Sequence, residues 1–464
     1  MSNMNSNSNP DMNEIASRLV QLAKQHGAVD ADALAVNDIG ESISVRNGQV
    51  ETVEREDSRG IGLRAFVETA EGLAFASASS SDLSSDGINA LAKQVIVMAK
   101  ISAADPDAMP PSGADHPSDR ELADWEANHP LNKSWTLEAA KESALACEAA
   151  ALEHSDQIRN SEGAQAGFGS VHVAYASADG FCGQYSKSSL GLSVSVIAGV
   201  GDGMQRDYAY SRVRDPEKLK SPQLIGEEAA ARAIRRLGSK SIATRQSTVI
   251  FEPRMATSIL GHLIGAINGR SVLQQRSFLA DSKGEQIFPE FFQLLDDPDN
   301  PDGLGNRLFD GEGTRCNRNT IIDSGRLTGF LADRYVAARL GCKANGHASR
   351  GLTGDISIGT SNLILQPGTM DALAMLRDIG NGVLITEMMG SGINGVTGDY
   401  SRGAAGFLVE NGEITRPLNE ITIAGNLKEM FGNISHLGSD LTWFGSTAVP
   451  SIAISGMTVA GQEN

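Results

Sequence analysis

The hydrophobic pattern of the first hundred residues predicts two amphipathic helices on either side of antiparallel strands. Ile15, Leu19 and Leu22 recur at helical spacing after Asp11, which suits a helix N-cap, and a second helical pattern covers about 81–102. Between them, apolar and polar residues alternate around Asn47-Gly48, a dipeptide typical of β-hairpin turns because both residues tolerate positive φ. The predicted order is therefore helix, strands, helix.

A similar order is predicted again after a proline-rich segment. Residues 104–134 contain Pro106, Pro110, Pro111, Pro117 and Pro130, and we predict that they form a connecting arm. The elements predicted after the arm are a helix over about 136–153, strands over 169–179, 181–189 and 189–199, and a helix that begins at Ser221-Pro222.

The pattern changes after Thr244 to short strands separated by glycine-containing turns. One helix is predicted over about 253–267. The predicted strands are 247–252, 319–323, 329–333, 382–388, 405–410 and 420–425. Regular helices do not separate these strands, which argues against a doubly wound parallel sheet. We therefore predict an α+β fold, in which a helix and antiparallel-sheet region precedes a β-rich C-terminal domain.

These patterns predict three parts of unequal length. Residues 1–10 are rich in Ser and Asn and are expected to be a disordered tail. An N-terminal α+β domain is predicted over 11–238, with two halves joined by the arm near 104–134. A β-rich C-terminal domain is predicted over 239–464.

Charge and composition exclude several functional classes. The 464 residues carry a formal net charge of −18, so the long-range field repels nucleic-acid phosphates and anionic lipids. No apolar run approaches the ~18 residues of a membrane span, and the N-terminus lacks the basic and apolar regions of a signal peptide. We expect a cytoplasmic protein without direct contact to nucleic acid or membrane.

The residues alone indicate no catalytic or metal site. The eight histidines include no pair three to five positions apart, and the four cysteines form no C-x-x-C motif. No serine has glycine at both the −2 and +2 positions, so the nucleophile elbow of α/β hydrolases is absent. A site formed by residues that lie far apart in the sequence is the alternative that these patterns leave.

Three long segments resemble the TldD/PmbA family, and specifically its PmbA (TldE) branch. The first is RNGQVETVEREDSRGIGLRAF at 46–66. The second runs from LDDPDNPDGLGNRLFDGEGTRCN through GRLTGFLADRYVAARLG, within 295–341. The third comprises ITEMMGSGINGVTGDYSRGAAGFLVENGEITRPLNEITIAGNL at 385–427 and AISGMTVAG near the C-terminus. The resemblance covers nearly everything after the tail.

The resemblance implies a subunit of a bacterial cytosolic protease. In that assembly a TldD-type subunit carries zinc through an H-E-x-x-x-H helix and a distant cysteine, and a PmbA-type subunit pairs with it. The corresponding helix here is ILGHLIGAING, in which His262 stands at the first ligand position, Leu263 replaces the glutamate and Ile267 replaces the second histidine. No cysteine follows Cys342. We therefore expect no metal, no cofactor and no catalytic residue in this chain, with zinc in the partner subunit.

The apolar pattern of the same helix agrees with this expectation, because Met255, Ile259, Leu263, Ile264 and Ile267 form one stripe suited to packing on a sheet. His262 is then a structural histidine, or it contacts substrate or partner at a degenerate cleft. Asp399, Ser401 and Arg402, within the glycine-rich segment 390–406, are candidate contacts to a peptide or partner. The alternative is an Asp399–Arg402 pair that braces a turn.

The leading functional hypothesis is a non-catalytic, zinc-free partner of a TldD-type metalloprotease that acts on unstructured peptides. The first alternative is a stand-alone metallopeptidase with an unrecognised site. The second is an interaction protein that modulates DNA gyrase, as the family's historical label suggests. A homodimer of the isolated chain is also expected, because the partner is a homologue and the docking surface is able to self-associate.

Overall fold

The computed structural model describes residues 11–131, 134–352 and 355–461; the tail predicted for 1–10 lies outside these residues. Its helices are α1 (Met12–Gln25), α2 (Ser85–Ile101), α3 (Asp119–Asn128), α4 (Leu137–Glu153), α5 (Pro222–Ile234), α6 (Pro253–Ala266), α7 (Gly269–Leu273), α8 (Arg334–Leu340), α9 (Ala372–Ile379) and α10 (Leu427–Gly432).

The strands of the N-terminal region are β1 (Asp30–Arg46), β2 (Gln49–Thr69), β3 (Gly72–Ser80), β4 (Ile158–Ser177), β5 (Cys182–Ala198) and β6 (Gln205–Val213). Those of the C-terminal region are β7 (Arg245–Phe251), β8 (Leu294–Asp296), β9 (Asn319–Asp323), β10 (Arg326–Leu327), β11 (Ala348–Ser349), β12 (Ser357–Ile358), β13 (Leu363–Leu365), β14 (Gly382–Ile393), β15 (Asp399–Glu410), β16 (Glu413–Asn426), β17 (Ile434–Leu437), β18 (Thr442–Phe444), β19 (Thr447–Val449) and β20 (Ile452–Ala460).

The first six strands form one antiparallel sheet in the order β3-β2-β1-β4-β5-β6. The long ladder between β1 and β4 joins the two predicted halves, so both halves share a single sheet. The predicted hairpin turn is confirmed, because Asn47 and Gly48 both have positive φ, of 51° and 72°. The carboxylate of Glu148 on α4 accepts hydrogen bonds from both of their backbone N–H groups.

All four long N-terminal helices cover the same face of this sheet. Alternate residues of β1 point to that face, so Ala33 contributes to the core beneath α1 and α2, and Ile43 to the core beneath α4 and α5. Leu192 of β5 also packs beneath the second pair. The opposite face of the sheet is left for the C-terminal region.

One sequence prediction for this region is wrong, and the structure adds one helix that was not predicted. The stretch 189–199 is not a separate strand, because it continues β5 without a turn, and the third strand of that meander is β6. The proline-rich arm contains the helix α3, which begins with a capping box between Ser118 and Glu121. The predicted helix and strand ends elsewhere in this region agree with the structure to within a few residues, except that β4 begins at Ile158.

The C-terminal region contains a closed five-stranded barrel. The strands pair in the order β16-β15-β14-β7-β20, and β16 also pairs with β20, so the ring has no free edge between them. A second sheet has the order β10-β9-β8-β13-β19-β18. The α+β fold class is confirmed.

Two predictions for the C-terminal region are corrected. Residues 329–333 are not a strand; Leu331 makes one isolated bridge to Asn268, and α8 begins at Arg334. Besides the predicted helix, which is α6, the described residues form four short helices, α7 to α10, too brief for their periodicity to stand out in the sequence.

Buried charges join the sheet to the C-terminal region at a contact that we call the seam, formed by Asp32, Arg64, Tyr175, Glu312 and Arg350. Asp32 accepts hydrogen bonds of 2.6 Å from both Arg64 and Arg350, and Arg64 lies 3.5 Å from Glu312. The Tyr175 hydroxyl is within hydrogen-bond distance of Asp32 and of the Glu312 carbonyl. The seam fixes how the two regions meet.

The arm strengthens this attachment. Arg334 at the start of α8 donates hydrogen bonds to the carbonyl oxygens of Pro110, Pro111 and Ser112. Arg315 pairs with Glu121 of α3 at 2.6 Å. The arm therefore binds the C-terminal region as well as connecting the two N-terminal halves.

Candidate functional site

The helix α6 places His262 beside the barrel strand β15. The helix follows directly after β7 and has Pro253 in its first turn, where a backbone N–H would have no partner within the helix. The His262 ring packs edge-on against Tyr400, with ring centroids 5.7 Å apart and an interplanar angle of 72°. The Nε2 atom of His262 is buried and has no hydrogen-bond partner among the described residues.

Leu263 and Ile267 point into the main hydrophobic core of the C-terminal region. Both side chains are fully buried, and they belong to the same cluster as Val383 and Ile423 of the barrel. Ile267 lies at the C-cap of α6 rather than within the helix. The apolar stripe predicted for this helix is thus core packing.

Polar groups around His262 come from β14 and β15. The Tyr400 hydroxyl lies 3.5 Å from the Met388 sulfur, and burial raises the pKa of Tyr400 to about 12. Burial, followed by the charge of Arg402, lowers the pKa of His262 below its usual value. The Nε atom of Arg402 is buried and also lacks a partner within the described part of the chain. His262 is therefore neutral at pH 7 and lies near an under-paired arginine.

These residues do not fit a zinc ion. A zinc peptidase needs several nitrogen, sulfur or carboxylate ligands and a carboxylate that takes the proton of the bound water. Here His262 offers one nitrogen, Leu263 and Ile267 offer none, and Arg402 adds positive charge. In the ranges 11–131, 134–352 and 355–461 no cluster of three or more His, Cys, Asp and Glu side chains could hold a metal.

The other predicted contacts divide into two groups. Arg402 lies close to His262, as described above, whereas Ser401 is exposed and pairs through its backbone with Gly392 and Ala424. Asp399 accepts hydrogen bonds from Thr397 and Asn426, and so braces the turn before β15. No ion pair joins Asp399 to Arg402 in the described chain. The contact roles proposed for these three residues stay predictions.

Sequence reasoning missed Tyr400 and Met388. Both lie within the glycine-rich family segment, but nothing in their spacing places them against α6. The pairing of β14 with β7, and of β15 with β14, brings them there.

Comparison with known proteins identifies the family. Three models described as parts of the PmbA/TldA metallopeptidase match this chain: domain 1 at 31–99, the central domain at 130–237 and the C-terminal domain at 244–461. Metalloprotease PmbA of Escherichia coli O157:H7 is 36% identical over 457 residues, which cover 97% of this chain and 96% of that protein. This chain belongs to the PmbA/TldD metalloprotease family.

One further relative and two solved structures are also similar to this chain. A PmbA homologue from Haemophilus influenzae is 34% identical, with coverage of 97% of this chain and 96% of the relative. A crystal structure described as a modulator of DNA gyrase from Bacteroides thetaiotaomicron has a TM-score of 0.86 at 25% identity, covering 97% of this chain and 98% of that one. TldE from Thermococcus kodakarensis, at 19% identity and a TM-score of 0.84, covers 96% and 99% and shares the fold.

The resemblance inferred from the sequence segments is thus confirmed. Among the helices of the described residues, none has the length and apolar character needed to cross a membrane.

Proposed function

We propose that this chain is the zinc-free, non-catalytic partner subunit of a TldD-type metalloprotease, and that the pair degrades or processes unstructured peptides. The observation that carries the proposal is the α6 helix, in which two of three zinc-motif positions are core residues without any exposed surface. Hydrolysis of a peptide by water at a zinc ion requires donors and a base that this helix lacks.

The local charge supports the same assignment. His262 is held neutral by burial, and the nearby cation Arg402 disfavours a divalent cation beside it. These two groups keep unpaired atoms at the position where a catalytic subunit would act on substrate. We therefore assign His262 and Arg402 to contact with the peptide or the partner, with zinc in the partner subunit.

A reconstitution assay tests this proposal. The purified chain, a purified TldD-type subunit carrying H-E-x-x-x-H, and their mixture are each incubated with an unstructured peptide. We expect hydrolysis only in the mixture, and we expect it to disappear when the motif glutamate of the TldD-type subunit is changed to glutamine.

Two other outcomes would contradict the proposal. Hydrolysis by this chain alone would support the stand-alone peptidase, and a TldD-type subunit whose activity is indifferent to this chain would support a separate interaction role. Light scattering of the same three samples would show whether the two chains form one heterodimer, and whether this chain alone forms a homodimer, as we expect.

A further inference from the structure

A groove of about 1170 Å³ lies between the N-terminal sheet, formed by β1 to β6, and two loops of the C-terminal region. One loop contributes Leu304 and Gly305 and the other Gly445 and Ser446, and the two loops are adjacent, since the Leu304 N–H donates to the Gly445 carbonyl oxygen. The sheet face that lines the groove is the one opposite the helices, because residues of β1 and β4 alternate between the helix side and the groove side. The groove lies apart from the α6 site.

The strand register sets the residues of this face in rows across the sheet. One complete row joins residues from five strands, namely Glu54, Ser42, Gly167, Gly191 and Arg212. A neighbouring row contains Glu56, Gly40, Gly169 and Ser189, and the next contains Ser58, Asp38, Val171 and Lys187. Small residues therefore cover the middle of the groove, and charged residues lie at both sides.

The two sides differ in net charge, although Arg55 also lines the side of β1 and β2, where it pairs with Glu41 at 3.7 Å. We call Asp38, Glu54 and Glu56 the acidic end, and all three are exposed on β1 and β2. We call Lys187, Arg212 and Arg214 the basic end; Lys187 and Arg212 line the groove, and Arg214 lies just beyond it, near enough for its charge to act on Lys187. About four strand spacings of ~4.8 Å separate Glu54 from Arg212, which gives roughly 19 Å, or about six residues of extended chain. In the row of Asp38 and Lys187 the ends are closer, at two spacings or roughly 10 Å.

Two cations of the basic end have no ion-pair partner among the described residues. Lys187 lies over the Tyr185 ring at 5.2 Å, and neither Lys187 nor Arg214 has a carboxylate within ion-pair distance among the described residues. Arg307 adds positive charge near Lys187, but it is itself compensated: it donates hydrogen bonds to the backbone carbonyl oxygens of Gly346, Ala348 and Gly359. Burial lowers the pKa of Arg307, but Cys316, Asp310 and Asp296 lie near enough to outweigh burial and raise it. Lys187 and Arg214 are therefore cations of the basic end without a paired carboxylate in the described part of the chain. In a chain of net charge −18, uncompensated cations that are partly desolvated favour an anionic ligand group.

We propose that this groove binds an unstructured peptide across the strands in one direction, with its C-terminal carboxylate at Lys187, Arg212 and Arg214 and its N-terminal amine at Asp38, Glu54 and Glu56. The central glycines and serines leave room for varied side chains and offer hydroxyl groups to the peptide backbone. The inference rests on the proposed function for its substrate class, and it adds the orientation and the residues that recognise each end.

Photo-crosslinking of the full chain tests the orientation. Two hexapeptides of glycine, serine and alanine carry one benzophenone group, next to either the free N-terminus or the free C-terminus. We expect the C-terminal probe to crosslink to β5 and β6, and the N-terminal probe to β1 and β2. Equal labelling of both sides by each probe, the reversed pattern, or labelling outside the groove would overturn the proposal.

Affinity measurements by calorimetry test the recognition of the carboxylate. Amidation of the peptide C-terminus and Lys187→Met are each expected to weaken binding about tenfold, since a charge-assisted hydrogen bond is lost. Lys93→Met removes the same charge from α2, on the other side of the sheet, and is expected to leave affinity unchanged. Unchanged affinity in Lys187→Met, or an equal loss in Lys93→Met, would contradict the proposal.

A blocking variant provides a check that does not depend on charge. A Cβ at Gly40 would meet only the Phe168 carbonyl oxygen, at 3.8 Å, so Gly40→Trp can project into the groove without a backbone clash. We expect Gly40→Trp to abolish peptide binding while the circular dichroism spectrum is retained; retained binding would count against the groove. None of these measurements needs a second subunit, so their failure is distinguishable from failure of the reconstitution assay.

Discussion

At the seam each buried charge has an opposite charge beside it, whereas at α6 and in the groove several polar groups have none. Asp32 is fully buried yet bound by two arginines, while the Nε atom of Arg402 and the Nε2 atom of His262 lack partners within the described residues. Buried unpaired polar atoms are costly and therefore uncommon in stable folds. The comparison separates charges that hold the fold from groups available to a ligand or partner.

The largest expected effect is on the seam. Asp32→Ala leaves Arg64 and Arg350 buried without their shared partner, so the free energy of unfolding should fall by about 4 kcal/mol, measured by urea denaturation. Asp107→Ala breaks the exposed pair with Arg339 and is expected to cost less than about 1 kcal/mol. Equal losses in the two variants would remove the distinction between the seam and ordinary surface pairs.

The pH dependence of the seam has a defined sign. Burial raises the pKa of Asp32, but Arg350 and Arg64 outweigh it, so that the pKa lies below its ordinary value. A carboxyl group with a lowered pKa stabilises the folded state above its unfolded pKa, and this stabilisation is lost as the pH falls through the folded pKa. Urea midpoints below pH 4 should therefore drop more in the natural chain than in Asp32→Ala.

A second large effect is expected at the zinc-motif position of α6. Leu263→Glu would place a carboxylate in the apolar core, and we expect the free energy of unfolding to fall by roughly 3 kcal/mol with no zinc bound. Leu263→Met keeps the volume and apolar character and should cost less than about 1.5 kcal/mol. A fully stable Leu263→Glu variant would show that this position is a site rather than core.

An intermediate effect concerns the groove. Burial, and then the charge of Arg307, lowers the pKa of Lys187 to about 8, with Arg214, Tyr185 and Cys316 also facing it. Tyr185 and Cys316 both have pKa values raised to about 12, whereas burial, followed by the charge of Glu312, raises the pKa of the neighbouring Asp310 to about 7. Of these groups, Lys187 is the one that titrates mainly between pH 7 and pH 9.

The protonated amine binds the carboxylate, so affinity for the hexapeptide with a free C-terminus should fall up to about tenfold between pH 7 and pH 9. The same titration of Lys187→Met should be flat over this interval. A flat profile in the natural chain, or a persisting fall in the variant, would assign the binding to other groups.

The smallest effect is expected at His262. Because its Nε2 atom has no partner in the described chain, His262→Leu should change the free energy of unfolding by less than about 1 kcal/mol. Peptide hydrolysis by the reconstituted pair should nevertheless decrease. A large loss of stability with unchanged hydrolysis would make His262 a structural residue only.

Local patterns predicted the elements better than their contacts. Asp11 caps α1, Asn47-Gly48 forms its turn, and α6 spans almost the predicted residues, because each depends on neighbouring side chains and backbone preferences. The seam joins Asp32 to Arg350 across 318 positions, and no local periodicity contains that contact. Closure of the barrel by β16 and β20 depends likewise on long-range pairing.

The candidate sites show the same limit. The family segments pointed to His262, Leu263 and Ile267, and the apolar stripe of α6 agreed with core packing. The charge separation in the groove was not predicted from the sequence. The register of five strands was needed to set Glu54 and Arg212 in one row.

The most direct measurement of the central claim is the zinc content of the purified chain after incubation with zinc and removal of free metal, read by mass spectrometry of the native protein. With one neutral imidazole, two apolar side chains and a nearby arginine at α6, we predict no stoichiometric zinc in the chain alone. One zinc ion per chain, lost in His262→Leu, would contradict the account.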